Sequence, residues 1–164
     1  MFAVWFTFEK NDEMYLSKII SELSKKHNSP VFLPHITAYG LVDINIDELD
    51  RLVSESIKGE KSFRVEKNMI SHSDNFWKTL FVDLISNEYL TRINKRLEKS
   101  LEMFSSYEFK PHTSLIYKKM SMGEREKITK SIDVKNRFLV NGMCIQEFSE
   151  DISKWKIVSK YNLG

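Results

Sequence analysis

Length, composition and charge together indicate one folded domain and exclude several functions. The chain has 164 residues, of which 41% are hydrophobic and 12% aromatic, enough for one compact core but too few for two full domains. Its 25 Lys and Arg residues against 23 Asp and Glu leave a net charge of only +2, which argues against a broad surface for duplex DNA.

The first half of the chain is predicted to contain a strand, a helix, a second strand, a second helix and two short extended stretches. The first helix follows from apolar residues recurring at helical spacing, and the second from an Asn45 and Glu48 pair that resembles a capping box. In chain order the elements are Phe2 to Phe8, Asn11 to His27, Phe32 to Leu41, the segment between Asn45 and Gly59, and Ser62 to Val65 with Asn68 to His72.

From Trp77 the same order begins again. The predicted elements are a strand over Leu80 to Leu84, a helix carrying Leu90, Ile93, Leu97 and Leu101, a strand over Phe109 to Tyr117, a helix from the Ser121 and Glu124 pair to about Ile132, and strands at Phe138 to Val140, Met143 to Phe148 and Trp155 to Val158. We therefore expect one bilobed domain over residues 1–164, with pseudo-repeats of about 1–72 and 77–162 related by a pseudo-two-fold axis.

The single cysteine and the apolar N-terminus bear on the compartment. Cys144 alone excludes an internal disulfide and favours a reducing environment, so we expect a cytoplasmic protein. The apolar run Phe2 to Phe8 has no basic segment before it and ends at Glu9, so we expect neither a signal peptide nor a membrane span.

A short motif occurs twice, as Pro34-His35-Ile36-Thr37 and Pro111-His112-Thr113-Ser114. The chain has only three prolines and four histidines, so the repetition is unlikely to arise by chance. Because side chains alternate along a strand, His35 and Thr37 are expected on one face of their strand, as are His112 and Ser114 on theirs. Two such strands side by side would offer two imidazoles and two hydroxyls to one cleft.

These side chains suit the hydrolysis of a phosphate ester by general acid and base catalysis. An imidazole titrates near pH ~6.5, so one histidine can remove a proton from water while the other protonates the leaving oxygen. The hydroxyls can stabilise charge on the phosphate oxygens. The chain contains no His-Glu-x-x-His pattern and no cysteine cluster, so we expect neither a metal nor another cofactor.

The blocks Phe32 to Thr37 and Phe109 to Tyr117, whose histidines are 112 − 35 = 77 residues apart, resemble those of the two-histidine (2H) phosphoesterase superfamily, most closely its cyclic phosphodiesterase branch. The resemblance implies an α+β fold with two antiparallel-sheet lobes, flanking helices and a cleft that holds a nucleotide cyclic phosphate. It implies that His35 and His112 are the acid and base and that Thr37 and Ser114 bind phosphate oxygens. It also implies that Trp5 and Tyr117 contact the substrate.

Three further residues are candidates for the cleft on the sequence alone. Trp77 could stack on a base or fill the core, and Lys78, predicted on the same strand, could bind a phosphate or remain a solvated edge lysine. Strict alternation places Tyr39 on the face of His35, whereas it turns Tyr117 away from His112 unless the strand bulges or ends there.

The expected function is metal-independent opening of a cyclic phosphate, with a 2′,3′-cyclic nucleotide or ADP-ribose 1″,2″-cyclic phosphate as substrate. The same site could instead degrade a 3′,5′-linked cyclic di- or oligonucleotide signal. A further alternative is a non-catalytic module that binds RNA ends, although a binder has no need of two titrating groups. We expect a monomer that works on small nucleotides in RNA metabolism, with neither a membrane nor duplex DNA as a partner.

Overall fold

The computed structural model describes all 164 residues, Met1–Gly164. Its strands are β1 (Phe2–Phe8), β2 (Ile36–Val42), β3 (Phe63–His72), β4 (Leu80–Leu84), β5 (His112–Ile116), β6 (Arg137–Glu147) and β7 (Lys156–Asn162). Its helices are α1 (Lys10–His27), α2 (Ile46–Ser56), α3 (Glu88–Leu101) and α4 (Met122–Ser131), and there are two short 3-10 turns, Phe76–Lys78 and Ile152–Lys154. The predicted α+β fold is confirmed. None of the helices combines the length and apolar character that a membrane crossing needs.

The helices begin where side chains satisfy their free backbone amides. The Asn45 side chain accepts hydrogen bonds from the amides of Asp47 and Glu48 at the start of α2. Ser121 and Glu124 form a complete capping box at the start of α4, as predicted. Helix α1 ends at Asn28, which adopts a left-handed conformation with φ of 54°. These local signals are readable in the sequence, and the helices accordingly start and end close to the predicted residues.

All strand pairs are antiparallel, and they follow the spatial order β2-β1-β6-β3-β4-β5, with β7 paired to β6. The two histidine strands, β2 and β5, therefore lie at opposite ends of the hydrogen-bonded path. They nevertheless contact each other, because the sheet curls round between them. Helix α1 packs on β5 and helix α3 on β2, so each histidine strand is supported by a helix from the other half of the chain.

Strands β3 and β6 are each continuous, where the sequence predicted two shorter strands in each place. Asn141-Gly142 is a typical turn signal, but here β1 pairs past it with one extra residue, Asn141, on β6. Asn68 is likewise the extra residue between the β3–β4 pairs of Lys67 and Met69. Each position is a bulge within a continuous strand, because pairing with neighbouring strands overrides the local turn preference.

The histidine strands are shorter than predicted, because β2 begins at Ile36 and β5 at His112. Pro34 and Pro111 lack the amide hydrogen that a strand donates to its neighbour, so neither begins a strand, although the Pro111 carbonyl still accepts a hydrogen bond from the Leu84 amide of β4 at 3.1 Å. At the C-terminus, β7 begins at Lys156 instead of Trp155, since Trp155 ends the 3-10 turn Ile152–Lys154.

Candidate active site

A cleft of about 310 Å³ opens between β2 and β5. Both motifs contribute to its wall, with His35 and Thr37 on one side and His112 and Ser114 on the other. The volume is at the lower end of the range for small-molecule sites, which run from about 300 to 1,000 Å³. The structure thus brings together the four side chains that the repeated motif singled out.

The two imidazoles are held in the same way. His35 Nδ1 lies 2.7 Å from the carbonyl oxygen of Leu33, and His112 Nδ1 lies 2.7 Å from that of Lys110. A carbonyl can only accept a hydrogen bond, so Nδ1 carries the proton in both neutral rings. Each Nε2 then has a free lone pair, which fixes the tautomer that proton transfer at Nε2 needs.

His35 is the more enclosed of the pair. It is 6% exposed and stacks on Trp5 with ring centroids 3.5 Å apart and an angle of 9° between the rings. Burial lowers the pKa of His35 to about 3, opposed by the Leu33 carbonyl and reinforced by His112. Trp5 itself is buried, so it positions the imidazole as well as lining the cleft.

His112 has a different environment. It is half-buried and contacts the edge of the Phe81 ring, with centroids 5.4 Å apart, and Lys78 Nζ lies 4.5 Å from the same ring centroid. Burial lowers the pKa of His112, with the Lys110 carbonyl opposing the shift, the Lys78 charge adding to it and Asp83 opposing it. Asp83 pairs with His112 across the β4–β5 ladder. His112 therefore has a carboxylate close by that favours its protonated form.

Ser114 is already engaged in a hydrogen bond. Its hydroxyl donates to the carbonyl of Trp77 at 3.1 Å, in the 3-10 turn Phe76–Lys78. Trp77 and Lys78 thus lie on this turn and not on a strand, which corrects the prediction for both. The physical reason is a cap at the Asn75 side chain, which accepts a hydrogen bond from the Trp77 amide at 2.9 Å. Both Trp77 and Lys78 nevertheless line the cleft.

Bulges decide which tyrosines reach the cleft. In the β1–β2 pair, Trp5 lies opposite Thr37 and the next residue of β1, Val4, lies opposite Tyr39, so Ala38 has no partner and forms a bulge. Beyond this bulge, the residues of β2 that would have faced the cleft face the other side of the sheet. Tyr39 is consequently fully buried, with its hydroxyl donating to the Ser105 carbonyl at 2.6 Å. The prediction that Tyr39 lies in the cleft is therefore wrong. A matching bulge follows Ser114 in β5 and turns Tyr117 into the cleft wall.

Gly40 and Tyr107 form a part of the wall that the sequence did not reveal. Gly40 stands five residues after His35, as Tyr117 does after His112, and the ring of Tyr107 occupies the space where a side chain on Gly40 would lie. A Cβ added at Gly40 would be 2.6 Å from Cδ2 of Tyr107. Burial raises the pKa of Tyr107 to about 12, so this phenol stays neutral. A loop residue with no periodic pattern around it gives no signal in the sequence.

Other lining residues were also missed, among them Phe148, Trp155 and Gln146. All three tryptophans of the chain, Trp5, Trp77 and Trp155, line this one cleft. They come from β1, the turn before β4 and the turn before β7, which are distant in sequence, so only the tertiary fold shows that they converge. No group of three or more His, Cys, Asp or Glu side chains is arranged to hold a metal ion.

Solved structures with the same fold cover nearly the whole chain. TT0787 of Thermus thermophilus is similar over 99% of this chain and 97% of its own, at 14% identity and a TM-score of 0.70. LigT of E. coli complexed with 3′-AMP is similar over 99% and 97%, at 11% identity and a TM-score of 0.65. LigT complexed with NADP+ is similar over 99% and 96%, at 11% identity and a TM-score of 0.61. The fold is that of the 2H phosphoesterases, as predicted.

The family follows from the sequence comparison. Residues 1–163 match the model of the family described as cyclic phosphodiesterase-like protein, and the chain belongs to that family. Membership places it among the phosphoesterases. No curated relative matches the chain by sequence.

Proposed function

We propose that the cleft hydrolyses a cyclic phosphate on a nucleotide or nucleotide sugar, with His35 and His112 as the acid and base and without a metal ion. The observation that carries the proposal is the pair of imidazoles in one cleft, each with Nδ1 held by a carbonyl and Nε2 free. The proposed substrates are a 2′,3′-cyclic nucleotide or ADP-ribose 1″,2″-cyclic phosphate. LigT, which shares the fold, has been crystallised with 3′-AMP, a nucleotide whose phosphate is on the 3′ oxygen of the ribose.

His35 is proposed as the base and His112 as the acid. His35 is enclosed and stacked on Trp5, which disfavours a charge on its ring, whereas His112 is half-buried and has Asp83 opposite. The step begins with His35 neutral and His112 protonated on both nitrogens. In ring opening, His35 Nε2 takes a proton from water as the water oxygen bonds to phosphorus. The bond from phosphorus to one ribose oxygen breaks, and His112 gives that oxygen its Nε2 proton, so that the two histidines exchange protonation states and solvent restores them.

The remaining residues are proposed to bind the substrate. Thr37 and Ser114 would donate hydrogen bonds to the non-bridging phosphate oxygens, where charge develops in the transition state. Lys78 lies beside His112 and would attract the anionic phosphate. Trp5 and Tyr117 would close the wall around the ribose. Burial raises the pKa of Tyr117, so its phenol remains neutral as a hydrogen-bond group.

The test is turnover by the purified protein, in excess chelator, of a panel of cyclic mononucleotides, ADP-ribose 1″,2″-cyclic phosphate, 3′,5′-linked cyclic dinucleotides and RNA ends. We expect ring opening of the first two classes, and the position of the product phosphate gives the bond broken. Activity that disappears with the chelator and returns with zinc or magnesium would contradict the metal-free mechanism. Binding of RNA ends without any turnover would favour the non-catalytic module.

Histidine variants test the assignment in the same assay. His35→Asn and His112→Asn each keep a side-chain N–H for the carbonyl that holds the ring but remove Nε2. We expect each to lose nearly all turnover and the double variant to be little worse than either, because paired catalytic groups act as a unit. His27→Asn, at the end of α1 and outside the cleft, is the matched control. Near-normal turnover by either cleft variant would refute the pair.

A further inference from the structure

Among the aromatic rings around the cleft mouth, one pair of tryptophans is nearly parallel. The rings of Trp77 and Trp155 lie almost parallel, at 23°, with centroids 5.9 Å apart, whereas their contacts with Phe148 are tilted or edge-on. Trp155 also contacts Trp5 edge-on at 5.4 Å and His35 edge-on at 6.2 Å. The near-parallel pair thus stands next to the catalytic end of the cleft.

One member of the pair is fixed and the other is accessible. The indole N–H of Trp155 donates to the Ser149 carbonyl at 2.7 Å, and the ring is packed against Trp5 and Tyr117. Trp77 is 36% exposed and lies on a turn of three residues. A flat ring stacked between two others needs about 7 Å, twice the contact distance of carbon atoms. Outward movement of Trp77 by about 1 Å or more would open that space.

Hydroxyl groups hold the turn that carries Trp77. Carbonyls of three successive residues lie within hydrogen-bond distance of side-chain hydroxyls: Phe76 of Thr79 at 2.9 Å, Trp77 of Ser114 at 3.1 Å and Lys78 of Ser73 at 2.6 Å. The Thr79 hydroxyl is shared with the Lys118 carbonyl, also at 2.9 Å. The Ser114 hydroxyl has only one hydrogen to donate. A substrate phosphate oxygen that took this hydrogen would leave the Trp77 carbonyl without its partner and remove one of the bonds that hold the turn.

We infer that Trp77 and Trp155 form a clamp that holds the nucleobase of the substrate between their rings while its cyclic phosphate lies between the two histidines. The inference rests on the proposed function for the identity of the substrate. Both rings line the same cleft as the motif residues, and a base is a planar aromatic ligand that would fit between them once Trp77 has moved outward. Specificity for nucleotides over other cyclic phosphates then comes from stacking.

The test compares two substrates that differ only in the base. Adenosine 2′,3′-cyclic phosphate has one, and 1-O-methylribose 2′,3′-cyclic phosphate has none. Trp77→Leu and Trp155→Leu should each lower kcat/KM for the adenosine compound at least about 5-fold more than for the base-free compound, the lower limit for loss of one stacked ring. Phe104→Leu, at a residue 38% exposed and outside the cleft, is the matched control.

Equal losses on both substrates, or no loss on either, would overturn the clamp while leaving the proposed function intact. If Trp155→Leu does not fold, the variant at the exposed Trp77 alone decides the outcome.

A second measurement follows binding by tryptophan fluorescence and needs no turnover. The fluorescence reports on the cleft, because every tryptophan of the chain lines it. Adenosine 2′- or 3′-monophosphate should quench wild-type tryptophan fluorescence more strongly than ribose 5-phosphate, and Trp77→Leu should weaken its binding. If wild type hydrolyses neither of these compounds nor ADP-ribose 1″,2″-cyclic phosphate, the proposed function is wrong. The fluorescence titration still decides the clamp, because equal quenching by adenosine monophosphate and ribose 5-phosphate would overturn it.

Discussion

Acid is expected to destabilise this protein through His35 in particular. The ring is buried and neutral in the fold, with its pKa lowered by burial to about 3, whereas in the unfolded chain it has the ordinary value of 6.5. Between those two values the unfolded state binds more protons than the folded state. The free energy of unfolding therefore falls as the pH falls below about 6.5, and the loss levels off near pH 3.

The magnitude follows from the linkage relation. At pH 5 the unfolded imidazole is almost fully charged and the folded one is not, which costs about 2 kcal/mol of stability relative to pH 7. The full shift would cost roughly 5 kcal/mol at still lower pH. His35→Asn keeps a donor for the Leu33 carbonyl but cannot titrate. The variant should therefore lack this part of the acid sensitivity.

Urea denaturation of both proteins at pH 7 and pH 5 measures the effect. We expect wild type to lose about 2 kcal/mol more than His35→Asn between the two pH values, because the other titrating groups are common to both proteins. Equal losses in the two proteins would refute the reasoning. They would mean that water or a nearby group lets His35 take up a proton in the folded state.

Two other predictions concern the cleft wall and the pH profile. Gly40→Ala should cost about 1–3 kcal/mol of unfolding free energy, because its Cβ would meet the Tyr107 ring at 2.6 Å. The control Gly123→Ala, in α4 with open space around it, should be neutral or slightly stabilising. Equal effects of the two substitutions in thermal melts would contradict this packing. With His35 neutral and His112 required as the acid, kcat/KM between pH 5 and 9 should fall as pH rises, through an apparent pKa below 6.5 that reports His112. A flat profile with chemistry rate-limiting would show that His112 transfers no proton in the slow step.

The sequence was most informative where local physics decides the outcome. Helix limits follow from capping side chains such as Asn45 and Ser121, which act over three or four residues. The site was predictable because the motif is repeated, and both copies meet in the cleft. Strict alternation failed at Tyr39, since a bulge depends on how β1 pairs with β2, and a single strand's pattern does not contain that information.

We propose that residues of about 1–72 and 77–162 are copies of one unit whose last strands have changed partners. In the first half β1 pairs with β2, and β1 also pairs with β6 of the second half, while β3 of the first half joins β4 of the second. Bulges at matching positions after Thr37 and Ser114 support the duplication, because both shift the strand faces at the same distance from the histidine. Exchange of strands makes each half incomplete alone. Expression of residues 1–72 alone should therefore give an unfolded chain.

A symmetric pair of motifs does not by itself make an acid and a base, because two imidazoles in equal surroundings would titrate alike. The asymmetry comes from residues outside the motifs. Trp5 stacks on His35 and excludes water from it, whereas His112 meets only a ring edge of Phe81 and has Asp83 across the ladder. Burial and a neighbouring carboxylate act in opposite directions on an imidazole's charge. Exchanging those neighbours, and not the histidines, is therefore the change expected to reverse the proposed roles of base and acid.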